Sequence, residues 1–144
     1  MKEVIVHPLP EITTEIHDVP IPVPEPDQVI IKVVVAGSNV KGIIHDRING
    51  PFSSRSGKAD KVPDWAHITA KKMSVNSGDD IAGTVHALGK AAEATGEFHI
   101  GDRVAAFHPM LTSGGAYAEH AVAPAHTIFH LPTNTSFEGK PQTP

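Results

Sequence analysis

The sequence predicts a mainly β domain, a barrel or sandwich of short strands. Three observations predict it. Apolar, β-branched runs recur at roughly 8–12 residue spacing with turn signals between them. Thirteen prolines and twelve glycines punctuate the 144 residues, which favours many turns and short strands over long helices. The clearest run, Val29–Val35, is apolar on both faces except at Lys32, the pattern of a strand buried on both sides.

Taken in order, Val4–Val6 is a short strand, and Ile16–Val19 can pair back onto it. Pro20, Pro22, Pro24 and Pro26 then alternate. Proline fixes φ and has no N–H to give a ladder, so this stretch reads as an extended, polyproline-like edge. Asp27-Gln28 turns the chain into Val29–Val35, where Lys32 is expected at an edge or mouth. Ala36–Lys41 leaves that strand. Gly42 to about Asp60 is polar, bears glycine and serine, and lacks periodicity, so it reads as an inserted loop, 42–60. Ala66–Met73 suits a short helical turn. A strand follows within Ser77–Gly89, with Ile81, Gly83, Val85 and Ala87 on one face. Lys90–Gly96 reads as a loop, Gly101-Asp102 as a turn into a strand Arg103–Phe107, and Pro109–Gly115 as another loop. Ala116–Val122 and Thr127–Leu131 are the last predicted strands, stopped by Pro132.

Composition excludes several functions. A formal charge of −4 gives no basic footprint for nucleic acid. No apolar run approaches the roughly 20 residues of a membrane helix. The opening Met1–Pro8 is too short an apolar run, and carries an acid, to read as a signal peptide. Without cysteine there is no disulfide and no thiolate metal ligand. A cytoplasmic location is expected.

Three separated blocks carry a resemblance: Ser-Gly-Asp-Asp-Ile-Ala-Gly-Thr-Val (Ser77–Val85), Gly-Asp-Arg-Val-Ala-Ala-Phe (Gly101–Phe107) and Gly-Gly-Ala-Tyr-Ala-Glu-His (Gly114–His120). Their order and spacing resemble the N-terminal, GroES-like domain of the medium-chain dehydrogenase/reductase family. The likeness covers Val19–Glu138, interrupted at Gly42–Asp60, and is greatest toward fungal zinc-free NADP-dependent members of the enoyl reductase and quinone oxidoreductase type, including trans-acting enoyl reductases that serve polyketide synthases. It implies a GroES-like, partly open β-barrel with short helical turns over residues 1–138, with 139–144 as a tail outside the family pattern. No Gly-x-Gly-x-x-Gly follows a strand, so no Rossmann unit is expected within these 144 residues.

The resemblance also implies a site. In the family a following Rossmann domain holds NADPH across a cleft from the barrel, and hydride passes to an activated C=C or C=O bond of a small-molecule substrate. Ser38, Asn39, Val40 and Lys41 would lie beside the nicotinamide and its ribose, where amide and ammonium groups suit its carboxamide and hydroxyls. Read without the family, Asn39 caps a turn and Lys41 is solvated. Proline is replaced by Val40, and the family's Asp-Trp does not follow Lys41. Tyr117 and Gly115 would lie near the substrate cleft; otherwise Tyr117 packs on a strand with its hydroxyl toward solvent.

A metal is not expected. Zinc-dependent members place a cysteine after the first strand and Gly-His-Glu at the start of the next, where this chain has Ser38 or Asn39 and Gly78-Asp79-Asp80. The ten histidines form no His-Glu-x-x-His pattern. His126 and His130, on one predicted strand, would stand about 13 Å apart. Asp79 reads as a turn acid accepting backbone N–H groups, and Arg103 as the partner of an acid.

Three functions from different classes follow. The first is a truncated product of a reductase gene. Gly139-Lys140 can be encoded GGT AAG, which holds a splice donor, directly after the family's Ser-Phe-Glu, and Gly42-Ile43 can begin another. The second is a stand-alone binding module that forms a homo-oligomer through the apolar face normally covered by the Rossmann half. The third is a cofactor-independent isomerase or dehydratase using a His or Asp base. A chaperonin cap is set aside, because the blocks are those of the reductases.

Overall fold

The computed structural model describes residues 1–7, 13–37, 76, 78–109 and 112–139. The segments 38–41, 42–60 and 66–73, which carry the cofactor-binding, insertion and helical-turn expectations, lie outside them. The chain builds β1 (Lys2–His7), β2 (Thr13–Asp18), β3 (Gln28–Ala36), β4 (Asp80–Leu88), α1 (Lys90–Thr95), β5 (Arg103–Phe107), β6 (His120–Pro124), a 3-10 turn (Ala125–Thr127) and β7 (Ile128–His130). The mainly β expectation holds.

β1 and β2 pair as an antiparallel hairpin, with Val4 opposite Ile16. The remaining strands form one antiparallel sheet in the order β6-β3-β4-β5-β7. The hairpin is tied to this sheet by the strand-like stretch before β6: the Val4 N–H donates to the Tyr117 carbonyl at 2.7 Å, and the Glu119 N–H to the Lys2 carbonyl at 3.0 Å.

Two register shifts curl the β3–β4 pair. Ile30 faces Ala87 and Ile31 faces Val85, which leaves His86 as the extra residue on β4; Val33 faces Gly83 and Val35 faces Ala82, which leaves Val34 extra on β3. An extra residue bends its strand and increases the twist. The second half of β3 departs from expectation. Val29, Ile30 and Ile31 are fully buried, but Val34 is 52% exposed, on the same face as exposed Lys32 two residues earlier. Lys32 is exposed as expected. Gly83 sits where strands meet most closely: a Cβ there would lie 2.1 Å from the Lys32 carbonyl oxygen.

The core lies on the inner face of the sheet, where Val29, Ile31, Val85, Phe98, Val104 and Ile128 pack together. α1 closes one end with Ala92. Residues 90–96 were expected to be a loop. The helix has no side-chain cap; instead the Ala91 and Ala92 N–H groups donate to the Pro26 carbonyl, satisfying donors that a helix start leaves free. Gly96 ends it in the left-handed region at φ 67°, a position that favours glycine.

Two strand boundaries also differ from expectation. Residues 116–119 are not a strand, apart from an isolated bridge between Glu3 and Ala118, because the Ala116 and Tyr117 N–H groups turn inward to Gly78 and Asn76. β7 begins at Ile128, since Thr127 and His126 belong to the 3-10 turn; His126 and His130 therefore do not share a strand. No helix among the described residues is long and apolar enough to cross a membrane.

Candidate functional site

β3 ends at Ala36, and the Gly37 N–H then donates to the Asp80 carbonyl at 2.9 Å. This bond brings the exit of β3 against the start of β4. The approach is close enough that a Cβ on Gly37 would stand 2.7 Å from the Asp80 Cβ. A cavity of about 330 Å³ opens beside this contact. Its walls come from Val35 and Gly37, from Ile81 on β4, from Phe107 on β5, and from Phe129 and Phe137. The groove is apolar; Asp80, at the Gly37 end, is its charged lining residue. Phe107 and Phe129 are 42% and 61% exposed, so the groove is open. Sequence reasoning pointed to Gly37 only as the lead into Ser38 and missed the three phenylalanines, which lie on separate segments up to 30 residues apart.

Tyr117 and Gly115 occupy a second, buried arrangement and do not line this groove. Asn76, 7% exposed, organises it. Its Nδ2 donates to the Gly115 carbonyl at 2.9 Å, and its Oδ1 accepts from the Tyr117 N–H at 2.9 Å and the Gly78 N–H at 3.5 Å. The Ala116 N–H donates to the Gly78 carbonyl at 2.8 Å. Two glycines make this fit sterically possible. A Cβ on Gly78 would lie 2.8 Å from the Tyr117 nitrogen, and one on Gly115 would lie 2.7 Å from the Asn76 carbonyl oxygen. Asn76 carried no sequence signal, because its partners lie 39 and 41 residues away.

The histidines are mostly structural. His108 is 2% exposed; its Nδ1–H donates to the Val122 carbonyl at 2.6 Å, and its Nε2 lies 2.8 Å from Thr112 Oγ1. His130 stacks on Phe98 and meets the Glu97 carbonyl at 3.0 Å. His120 is buried with Nδ1 lacking a hydrogen-bond partner among the described residues. Burial, then the neighbouring His86, push its pKa below the usual 6.5. Among the described residues no three His, Asp or Glu side chains converge as metal ligands. Asp79 is 4% exposed, and its carbonyl accepts the His108 N–H at 2.6 Å. Among the described residues Arg103 meets carbonyls and a ring in place of the expected acid. Its guanidinium donates to the carbonyls of Pro132, Thr133 and Thr135 and lies 4.5 Å from the centre of the Phe137 ring.

Comparison with known proteins places this geometry. The pattern of the alcohol dehydrogenase GroES-like domain matches residues 25–133. The chain is 39% identical over 140 residues to trans-enoyl reductase fsr4 of Gibberella fujikuroi, covering 96% of this chain and 33% of that protein. It is 35% identical over 130 residues to the quinone oxidoreductase of Homo sapiens, covering 90% of this chain and 32% of the relative. Among solved structures it superposes on the quinone oxidoreductase of Coxiella burnetii with a TM-score of 0.62 at 26% identity, over 95% of this chain and 38% of that one. A mycobacterial protein complexed with NADPH gives a TM-score of 0.67 at 23% identity, over 96% and 36%. The chain thus spans about a third of the length of the relatives it matches.

Proposed function

The chain belongs to the alcohol dehydrogenase GroES-like domain family, the N-terminal domain of medium-chain dehydrogenases and reductases, and on that premise we propose that it supplies one wall of the cleft of a zinc-free, NADPH-dependent enoyl or quinone reductase. The observation that carries this reading is the Gly37–Asp80 contact. It sets Gly37, the residue before the segment 38–41, in the wall of an apolar groove, where an uncharged ring or acyl chain is favoured over water.

The described residues fit the nicotinamide end of the cofactor better than its phosphates. An apolar wall suits a flat ring, whereas its lining holds, among the described residues, no Lys or Arg to pair with a phosphate. Ser38, Asn39, Val40 and Lys41 would hold the nicotinamide and ribose. When bound, the cofactor supplies the hydride. The chain's own residues would orient the acceptor and exclude water. Tyr117 and Gly115 would border the substrate, on a main chain locked by Asn76. The donor set argues against zinc of the family's kind: the chain has no cysteine, and by the resemblance Asp79 would stand where zinc-dependent members have histidine, which leaves no Cys-His set for zinc.

Catalysis requires the reacting atoms to be held about 3–3.5 Å apart, which needs a second wall. Residues 1–138 form the barrel in this reading, 42–60 an insertion, and 139–144 a tail outside the family pattern. NADPH titration of the purified chain, followed by fluorescence, tests it. Micromolar binding that weakens in Lys41→Ala supports a cofactor wall in this chain; no binding at millimolar NADPH overturns it.

A second reading, a self-associating binding module, is favoured by one observation. Phe129 is 61% exposed beside the groove, and a sizeable exposed apolar patch marks an interaction surface.

A further inference from the structure

Arg103 stands at the start of β5, just after the Gly101-Asp102 turn. Its backbone and side chain both grip the segment that follows β7. The Leu131 N–H donates to the Arg103 carbonyl at 2.8 Å. Nη1 lies 3.2 Å from the carbonyl oxygens of both Pro132 and Thr133, and Nη2 donates to the Thr135 carbonyl. The guanidinium then lies 4.5 Å from the centre of the Phe137 ring. One side chain thus addresses three carbonyls and an aromatic ring within six residues. Phe137 is in turn a wall of the groove, together with Phe107 and Phe129.

A planar fork of five N–H donors can serve several carbonyls and still present its face to a ring; an ammonium cannot do both. The Pro132 carbonyl also accepts the Thr135 N–H at 3.1 Å, but without the guanidinium the Thr133 and Thr135 carbonyls would depend on water and the loop would lose its tie to β5. We propose that Arg103 is a positioning residue: by holding 132–137 it fixes how far Phe137 stands from Phe129 and Phe107, and so sets the width of the groove and the bulk of the apolar ligand it admits. This rests on reading the groove as part of the ligand cleft. It requires neither cofactor nor turnover.

The probe is 1-anilinonaphthalene-8-sulfonate, an apolar fluorescent dye, titrated into the full chain alongside thermal melting. Phe129→Ser is included to confirm that the dye reports on the groove. The expected result is saturable binding that weakens at least about fivefold in both Arg103→Ala and Phe137→Ala, with the double substitution no weaker than either single one. Arg103→Lys, which keeps the charge and loses the fork, should resemble Arg103→Ala. If Arg103→Ala does not fold, Arg103→Lys and Arg103→Gln carry the same comparison against Phe137→Ala. A purely structural arginine lowers the melting temperature equally in both backgrounds and leaves dye affinity unchanged or additive; either outcome overturns the proposal. Failure of the wild type to bind dye, or dye binding untouched by Phe129→Ser, overturns it together with the groove as a ligand site. Failure of NADPH alone to bind counts only against the cofactor reading.

Discussion

The ring of His86 meets the ring of His120 edge to face, with centroids 4.5 Å apart and planes inclined by 64°. The contact spans β3, because His86 lies on β4 and His120 on β6. His86 is the extra residue of a bulge. Alternation along β4 puts His86 on the face of Thr84, and Thr84 and His120 both stand opposite Lys32.

The pair makes the fold sensitive to acid. Burial lowers the pKa of His120 below 6.5, His86 adds to the shift, Lys32 and the amino terminus add less, and Glu119 opposes it. Below that ordinary value the unfolded chain takes up a proton that the folded chain resists. Stability from this group is therefore complete above pH 6.5 and is lost as pH falls toward the depressed folded value. Melting temperatures measured between pH 7.5 and 5.5 should decline in the wild type and decline less in His120→Phe. Identical slopes would remove His120 as the cause.

Asn76 should matter more than its surroundings advertise. Asn76→Ala strands the Tyr117 N–H and the Gly115 carbonyl, each at a cost of roughly 1–3 kcal/mol when buried, so a loss of about 2–6 kcal/mol is expected in urea unfolding. Asn76→Asp keeps the acceptor, loses the donor and buries a charge, and should be no better than Asn76→Ala. A loss below about 0.5 kcal/mol for the alanine variant would mean that water replaces the side chain.

Both results bear on what the sequence made legible. β3 and β4 could be read because runs of β-branched residues and a strand glycine are local signals, and the Gly101-Asp102 turn likewise. The three blocks identified the family, and the matched region bears that out. α1 could not be read. It is six residues long, too short for a period, and the Pro26 carbonyl that receives its first N–H groups lies over 60 residues earlier. The same holds for the site: Asn76 and the Phe107–Phe129–Phe137 wall exist only through long-range contacts. Arg103 was visible, but its partners among the described residues are carbonyls and a ring rather than the acid that charge alone suggests.

Gly83 tests the strand junction. A Cβ there meets the Lys32 oxygen at 2.1 Å, and that atom is backbone that cannot swing away. Gly83→Ala should therefore open the β3–β4 ladder and cost more than about 3 kcal/mol, or leave the chain insoluble. Gly101 is the control. It has φ 92° but open space around it, so Gly101→Ala meets only backbone strain of roughly 1–3 kcal/mol. Equal melting temperatures for the two variants would show that the sheet relaxes to accept the methyl group.

Phe129 tests the exposed face. β7 is three residues long and sits at the end of the sheet, where Phe129 pairs with Ala105 through the backbone while its ring remains 61% exposed. Because the ring is open, Phe129→Ser should change folding stability by no more than about 0.5 kcal/mol. Its effect should fall on association instead. In sedimentation velocity the wild type is expected to shift toward larger species as concentration rises, driven by burial of Phe129 and Phe107 against a second copy, and Phe129→Ser should remain at the monomer position. A wild type that stays monomeric throughout would set aside the self-association reading and leave the groove to a small apolar ligand.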